Sequence, residues 1–289
     1  MISPTEITLP GDGVLLAADR WDPSGPANGL VLLLHGGGQT RHSWRTTGRD
    51  VARHGWTAVA VDARGHGDSD RAPDGDYGMD ALVADLHRTV ESLSARPVLV
   101  GASMGGLTSL VAQGEDPGLA RGLVLVDIAP RVETQGVAEI TSFMRRGLAG
   151  FDSMEEAVAA VVAYNPHRST TPNPDGLRKN LRERDGKLYW HWDPRLVEGR
   201  DGTGRAAADA ADRYARARAA ASAITVPTLL VRGVLSNVVS PEGAQELLDL
   251  IPAARLIDVA GAGHMVAGDD NDVFTGGLRA FLDAVDATF

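Results

Sequence analysis

Six short apolar runs alternate along the chain with longer segments in which apolar residues recur every three or four positions. The runs are GLVLLLHG (29–36), WTAVAVDARG (56–65), PVLVGAS (97–103), GLVLVDIAP (122–130), TLLVRG (228–233) and ARLIDVAG (254–261). Most are continuous Val, Leu, Ile and Ala, the pattern of strands covered on both faces. Helical periodicity over Arg41–His54, Met79–Ser94, Met104–Glu115, Pro241–Ile251 and Asp272–Ala287 fills the intervals. Near the start, EITL and VLLAADRWD flank Gly11-Asp12-Gly13 and predict a hairpin. This alternation predicts an α/β fold: a mostly parallel eight-stranded sheet with helices on both faces.

The rhythm breaks between Arg131 and about Ile224, where the sequence offers helical pattern and polar loops and no strand-like run. Ser153-Met-Glu-Glu156 predicts a capping box ahead of AVAAVVAY. The Ala-rich Arg205–Ala223 predicts a further helix. The division expected is a core of residues 1–130 and 225–289 with a helical cap over 131–224. Sites in such sheets sit at the carboxyl ends of the strands.

Charge narrows the function. A formal net charge of -10 disfavours a nucleic-acid partner, because phosphate neutralisation needs a basic face. With no cysteine, a disulfide framework, a thiolate nucleophile and a Cys-ligated metal are excluded. The N-terminal MISPTEITLPGDG lacks the pattern of a secretory signal, and no apolar run is long enough to span a bilayer. The expectation is a cytoplasmic protein acting on a small molecule, without a membrane or metal; the chain carries no sign of its oligomeric state.

The sharpest chemical signal is Gly101-Ala102-Ser103-Met104-Gly105-Gly106, directly after a buried strand and directly before a helix. A tight strand-to-helix turn pushes the Ser103 Oγ outward and makes it a candidate nucleophile. The helix start favours developing negative charge. His35-Gly36-Gly37-Gly38-Gln39 follows another strand, and its backbone N–H groups suit an oxyanion. Gly37 and Met104 are the expected donors, with Gly36 and Gly38 left open. Among the eight histidines, His264 in Gly261-Ala262-Gly263-His264-Met265 follows the last strand and is the expected base.

These motifs, together with DARGHGDSD (62–70), resemble the α/β-hydrolase superfamily over nearly the whole chain. The resemblance implies a cofactor-free serine hydrolase of carboxylic esters or lactones, working through an acyl-enzyme. Hydrolysis of a carbon–carbon bond, a lyase and a perhydrolase are the alternatives on the same scaffold. Asp62 and Arg64 are expected to hold a turn. In the family, the residue that orients the histidine often follows the strand at TLLVRG in the form G-x-x-S-D, whereas this chain has Gly233-Val-Leu-Ser236-Asn237. An amide there offers its NH₂ to the imidazole and leaves the proton on the wrong nitrogen. Three readings follow. Asp127, after LVLV, serves as the acid, as the preceding strand supplies it in some members; Asn237 replaces an acid and leaves a weak enzyme; or the protein binds a ligand without turning it over. Trp44, Trp190, Trp192 and Arg168 are candidate substrate-binding residues, the tryptophans with burial as the competing role.

Overall fold

The computed structural model describes residues 2–164, 174–198, 204–264, 266 and 272–287. In chain order the strands are β1 (Thr5–Pro10), β2 (Leu15–Trp21), β3 (Leu30–Leu34), β4 (Thr57–Val61), β5 (Val98–Ala102), β6 (Gly122–Val126), β7 (Leu181–Arg184), β8 (Lys187–Trp190), β9 (Thr228–Gly233) and β10 (Ala254–Val259). The helices among the described residues are α1 (Arg45–Arg53), α2 (Met79–Leu93), α3 (Ser103–Glu115), α4 (Thr134–Arg146), α5 (Met154–Tyr164), α6 (Pro174–Leu177), α7 (Gly204–Ala223), α8 (Pro241–Leu250) and α9 (Asp272–Asp286). None is both long and apolar enough to cross a membrane.

Eight strands form one sheet in the order β1-β2-β4-β3-β5-β6-β9-β10. Pairing is antiparallel for β1–β2 and β2–β4 and parallel from β4 to β10. Alternate residues of one strand feed opposite faces. In β3, Leu32 joins a cluster with Leu86 of α2, Leu110 of α3, Ala217 of α7 and Leu247 of α8, whereas Val31 and Leu33 join Val51 of α1 and Leu282 of α9. Helices on both sides explain why the strands read as unbroken apolar runs. After β3 the chain steps out to β4 and returns to β5 on the other side of β3. Strand order therefore reverses between β3 and β5, whose carboxyl ends open a crevice.

Two local expectations are corrected. The segment Arg41–His54 begins with a 3₁₀ turn, Arg41–Trp44, before α1. The 131–224 interval contains strands, because β7 and β8 pair antiparallel around Asp185 (φ 51°) and Gly186 (φ 75°). Both central residues of the turn are left-handed, the geometry Asp-Gly favours in a tight hairpin. Around this hairpin a third apolar cluster gathers Met144, Phe151, Leu181, Trp190, Trp192 and Leu196. Half of the expected capping box forms at Ser153: Glu156 N–H donates to Ser153 Oγ (3.2 Å), whereas its carboxylate accepts from Asp152 N–H (2.7 Å), one residue before the cap. At the far end of the interval, α7 lies against α3, its Ala220 backbone over Gly114.

Candidate active site

Ser103 opens α3 with φ 45°, so the chain turns sharply from strand to helix at this residue. The turn needs small neighbours. A Cβ on Gly101 would meet Gly105 O and Gly106 Cα at 2.5 Å, and one on Gly105 would meet Leu34 O at 2.6 Å. Gly105 N–H donates to His35 O (3.2 Å), which ties the glycine loop after β3 to the elbow. Gly36 lies so close that a Cβ there would reach 3.4 Å from the Cβ of Ser103.

Hydrogen bonding within that loop separates its three glycines. Gly36 N–H donates to Gln39 Oε1 (3.0 Å) and Gly38 N–H to His66 Nε2 (3.1 Å). Among the described residues no acceptor is placed for the Gly37 N–H, which leaves it the uncommitted donor. Met104 is the second residue of α3, so its N–H belongs to the first turn and lacks an acceptor within the helix. The loop rests on two buried imidazoles, His35 and His66, with ring centroids 5.0 Å apart. Ala63 N–H donates to His35 Nε2 (3.0 Å), so the His35 proton is on Nδ1 and goes to Gly36 O (2.8 Å). The same logic fixes His66, whose Nδ1–H donates to Arg64 O (3.1 Å). Burial, reinforced by His35, pulls the His66 pKa down to about 3, and burial lowers that of His35 as well. Both rings are neutral supports.

DARGHGDSD braces this arrangement from below. Asp62 accepts from Arg41 N–H (2.6 Å), the Arg41 guanidinium and Asp68 N–H (3.0 Å), and Arg41 also pairs with Asp19 (3.0 Å) and Asp68 (2.8 Å). Burial alone would pull the Arg41 pKa down; Asp62, Asp68 and Asp19 outweigh it and push it up. Arg64 is bound to Asp85 through Nε (2.6 Å) and Nη2 (2.7 Å).

The histidine meets its carboxylate one strand earlier than the family's frequent pattern. Ala102 of β5 pairs with Val126 of β6, so Ser103 and Asp127 follow at adjacent strand ends, about 5 Å apart. Asp127 also turns left-handed (φ 49°) and is wholly buried. The His264 loop lies over β9: Leu235 N–H donates to Ala262 O (2.9 Å), and Gly233 has no room for a Cβ beneath the Gly263 carbonyl. From there the imidazole leans past β9, and its Nδ1 sits 2.7 Å from Asp127 Oδ2. Gly233 N–H donates to Asp127 Oδ1 (3.0 Å) and the Ser236 hydroxyl to Oδ2 (2.5 Å).

Asn237 takes no part in this set. Its side chain is exposed and its Nδ2 donates to Glu139 of α4. Helix α4 rests on the same loop: Gly136 packs against the Asn237 carbonyl, Glu133 N–H donates to Val238 O (2.9 Å), and Ser240 Oγ donates to Glu133 (2.7 Å). The other end of α4 reaches the glycine loop, with Met144 beside Gly38. Between the two seats Phe143 stacks on Tyr164 of α5, centroids 4.4 Å apart. Burial pushes the Tyr164 pKa up to about 12, helped by the negative charges of Glu139 and Asp127, so this phenol lies within the field of the buried acid.

The candidate aromatic contacts fall elsewhere. Trp44 is sealed in the core against Phe274, centroids 6.1 Å apart, because the 3₁₀ turn points it at the sheet. Trp190 is buried in the third apolar cluster, against Phe143 and Phe151. Trp192 is buried and pairs through its backbone with His66, which ties the segment after β8 to the DARGHGDSD turn. Arg168 lies outside the described residues. Among the described residues no group of three or more His, Asp or Glu side chains is placed to hold a metal ion. The residues that sequence reasoning missed are His35, His66, Gln39, Glu139 and Tyr164; the first three stand within the quoted motifs, whereas the last two carry no signal before folding.

Known proteins share this fold. The family model described as alpha/beta hydrolase fold matches residues 29–270. The esterase Rv0045c of Mycobacterium tuberculosis is 30% identical over 277 residues, covering 93% of this chain and 86% of its own. A crystal structure of that esterase superposes with a TM-score of 0.73 at 29% identity, over 97% of this chain and 92% of the other. The 2-(acetamidomethylene)succinate hydrolase of Mesorhizobium japonicum is 30% identical over 216 residues, 72% of this chain and 70% of its own. A crystal structure of E-2-(acetamidomethylene)succinate hydrolase gives a TM-score of 0.81 at 24% identity, over 97% and 99% of the two chains.

Proposed function

The chain belongs to the alpha/beta hydrolase fold family, and from that premise we propose that it is a serine hydrolase cleaving a carboxylic ester or lactone through an acyl-enzyme. The observation that carries the reading is the 2.7 Å contact between His264 Nδ1 and the buried Asp127 carboxylate, one strand end from Ser103. With Nδ1–H committed to Asp127, Nε2 is left as the basic nitrogen. In the reaction Ser103 Oγ attacks the acyl carbon as His264 Nε2 takes its proton. The carbonyl π electrons move onto oxygen, and the oxyanion rests on the Gly37 and Met104 N–H groups. Collapse expels the alkoxide, which receives the proton from His264. Water, deprotonated by the same nitrogen, then attacks the acyl carbon; collapse breaks the bond to Ser103 Oγ, which takes the proton back from His264 as the acid leaves.

An amide substrate is the second reading, supported by the relative named for hydrolysis of the N-acyl compound 2-(acetamidomethylene)succinate. It needs the same residues, with His264 protonating a leaving amine. Reaction with a fluorophosphonate tests the nucleophile: one equivalent is expected on Ser103, with p-nitrophenyl acetate turned over by the wild type and not by Ser103→Ala. Absence of both label and product, across short esters, lactones and N-acyl substrates, overturns the assignment and favours a ligand-binding protein.

A further inference from the structure

Asp127 Oδ2 accepts two hydrogen bonds, from His264 Nδ1–H (2.7 Å) and from the Ser236 hydroxyl (2.5 Å). Ser236 comes from the loop after β9, where many family members carry the acid itself. We propose that Ser236 is a positioning residue for Asp127, fixing the plane and charge distribution of the carboxylate that orients His264; the proposal rests on Ser103, Asp127 and His264 being the reacting set.

The hydroxyl has one direction available. Ser236 Oγ accepts from Val238 N–H (3.1 Å) and Val239 N–H (3.2 Å), which occupy its lone pairs, so its hydrogen points at Asp127. The loop carrying it is itself fastened, by Asn237 to Glu139 and by Val238 O to Glu133 N–H. Asp127 is wholly buried, and among the described residues its carboxylate is bound by a backbone N–H, a hydroxyl and the imidazole. A carboxylate buried among so few donors depends on each of them. Ser236 pins Oδ2 against rotation about the Cβ–Cγ bond and withdraws charge from the oxygen that His264 uses. Without it, Oδ2 becomes a stronger acceptor for Nδ1–H but is held only by the group it is meant to hold.

A purely structural serine, serving to close the turn, predicts lost stability and nothing more. Two readouts separate the roles. The first is the downfield proton resonance of His264 Nδ1–H, assigned by its loss in His264→Gln and observed without any substrate. Ser236→Ala is expected to shift or broaden it, and Ser236→Thr, which keeps the hydroxyl, to recover it. The second is kinetics on p-nitrophenyl acetate: Ser236→Ala is expected to lower kcat about tenfold with KM little changed. The acidic limb of its kcat/KM profile is expected to move up, because Oδ2 then accepts more strongly from Nδ1–H. An unmoved resonance in Ser236→Ala, or an unmoved pH profile with kcat within twofold, overturns the proposal. If the wild type turns over no ester and Ser103 takes no fluorophosphonate, the hydrolase reading fails, while the proton resonance still decides the role of Ser236.

Discussion

The amide of Asn237 donates to Glu139 where α4 meets the loop after β9, while His264 turns to Asp127. An acid at position 237 therefore meets a second carboxylate and not an imidazole. Asn237→Asp is expected to bring no gain in kcat/KM and to lower stability by at most about 1 kcal/mol, the pair being exposed. The double change Asn237→Asp with Glu139→Gln is expected to restore the melting temperature. A tenfold gain in kcat/KM from the single substitution contradicts this arrangement.

Asp127→Asn offers an NH₂ to Nδ1 and leaves the imidazole proton facing Ser103. The expected loss in kcat is on the order of 10⁴ with the fold intact by circular dichroism. Activity within tenfold of wild type removes Asp127 from the mechanism.

His66 links acidity to stability. Its pKa is held near 3 in the folded chain against 6.5 unperturbed. Below pH 6.5 the unfolded chain binds a proton that the folded chain refuses until about pH 3. Stability present above pH 6.5 is therefore lost as pH falls through this window, on the order of a few kcal/mol between pH 7 and pH 4. His66→Gln keeps an acceptor for Gly38 N–H without titrating, and a flatter melting temperature against pH is the expected result. An unchanged slope excludes His66 as the source.

The three loop glycines are expected to respond differently to a methyl group. Gly38 has φ 76° and an added methyl would lie within 3.6 Å of Met144; on Gly36 it would meet Gln39 Oε1 at 3.1 Å, whereas on Gly37 its one neighbour among the described residues would be Met104 Sδ at 3.9 Å. Gly38→Ala is expected to cost about 1 kcal/mol or more, and Gly37→Ala less than about 0.5 kcal/mol. Thermal melts of the three variants rank them; equal losses contradict the separation.

The sheet was legible because both its faces are covered, so that strands such as β3 and β5 carry no polar interruption. The elbow at Ser103 was legible because a glycine two residues away on each side is a steric demand visible in one dimension. The β7–β8 hairpin was not, since LRER is charged and mostly exposed and KLYW, half-buried, has only three apolar residues in a row. Asp185-Gly186 between them was the signal to weigh. Trp44 and Trp190 illustrate a different limit: an indole buried in a core and one facing a ligand have the same letter. The choice between Asp127 and Asn237 turned on how far one loop leans over β9, a distance set by packing at Gly233.

Ser103 and Asp127 end neighbouring strands with the same left-handed kink, at φ 45° and 49°. Such conformations cost a side-chain-bearing residue roughly 1–2 kcal/mol each. The molecule thus carries tension at the two places where chemistry is proposed, and relaxing it trades turnover for robustness. Ser103→Gly is expected to melt higher than Ser103→Ala, both being inert, because glycine takes up the bend freely while alanine inherits it.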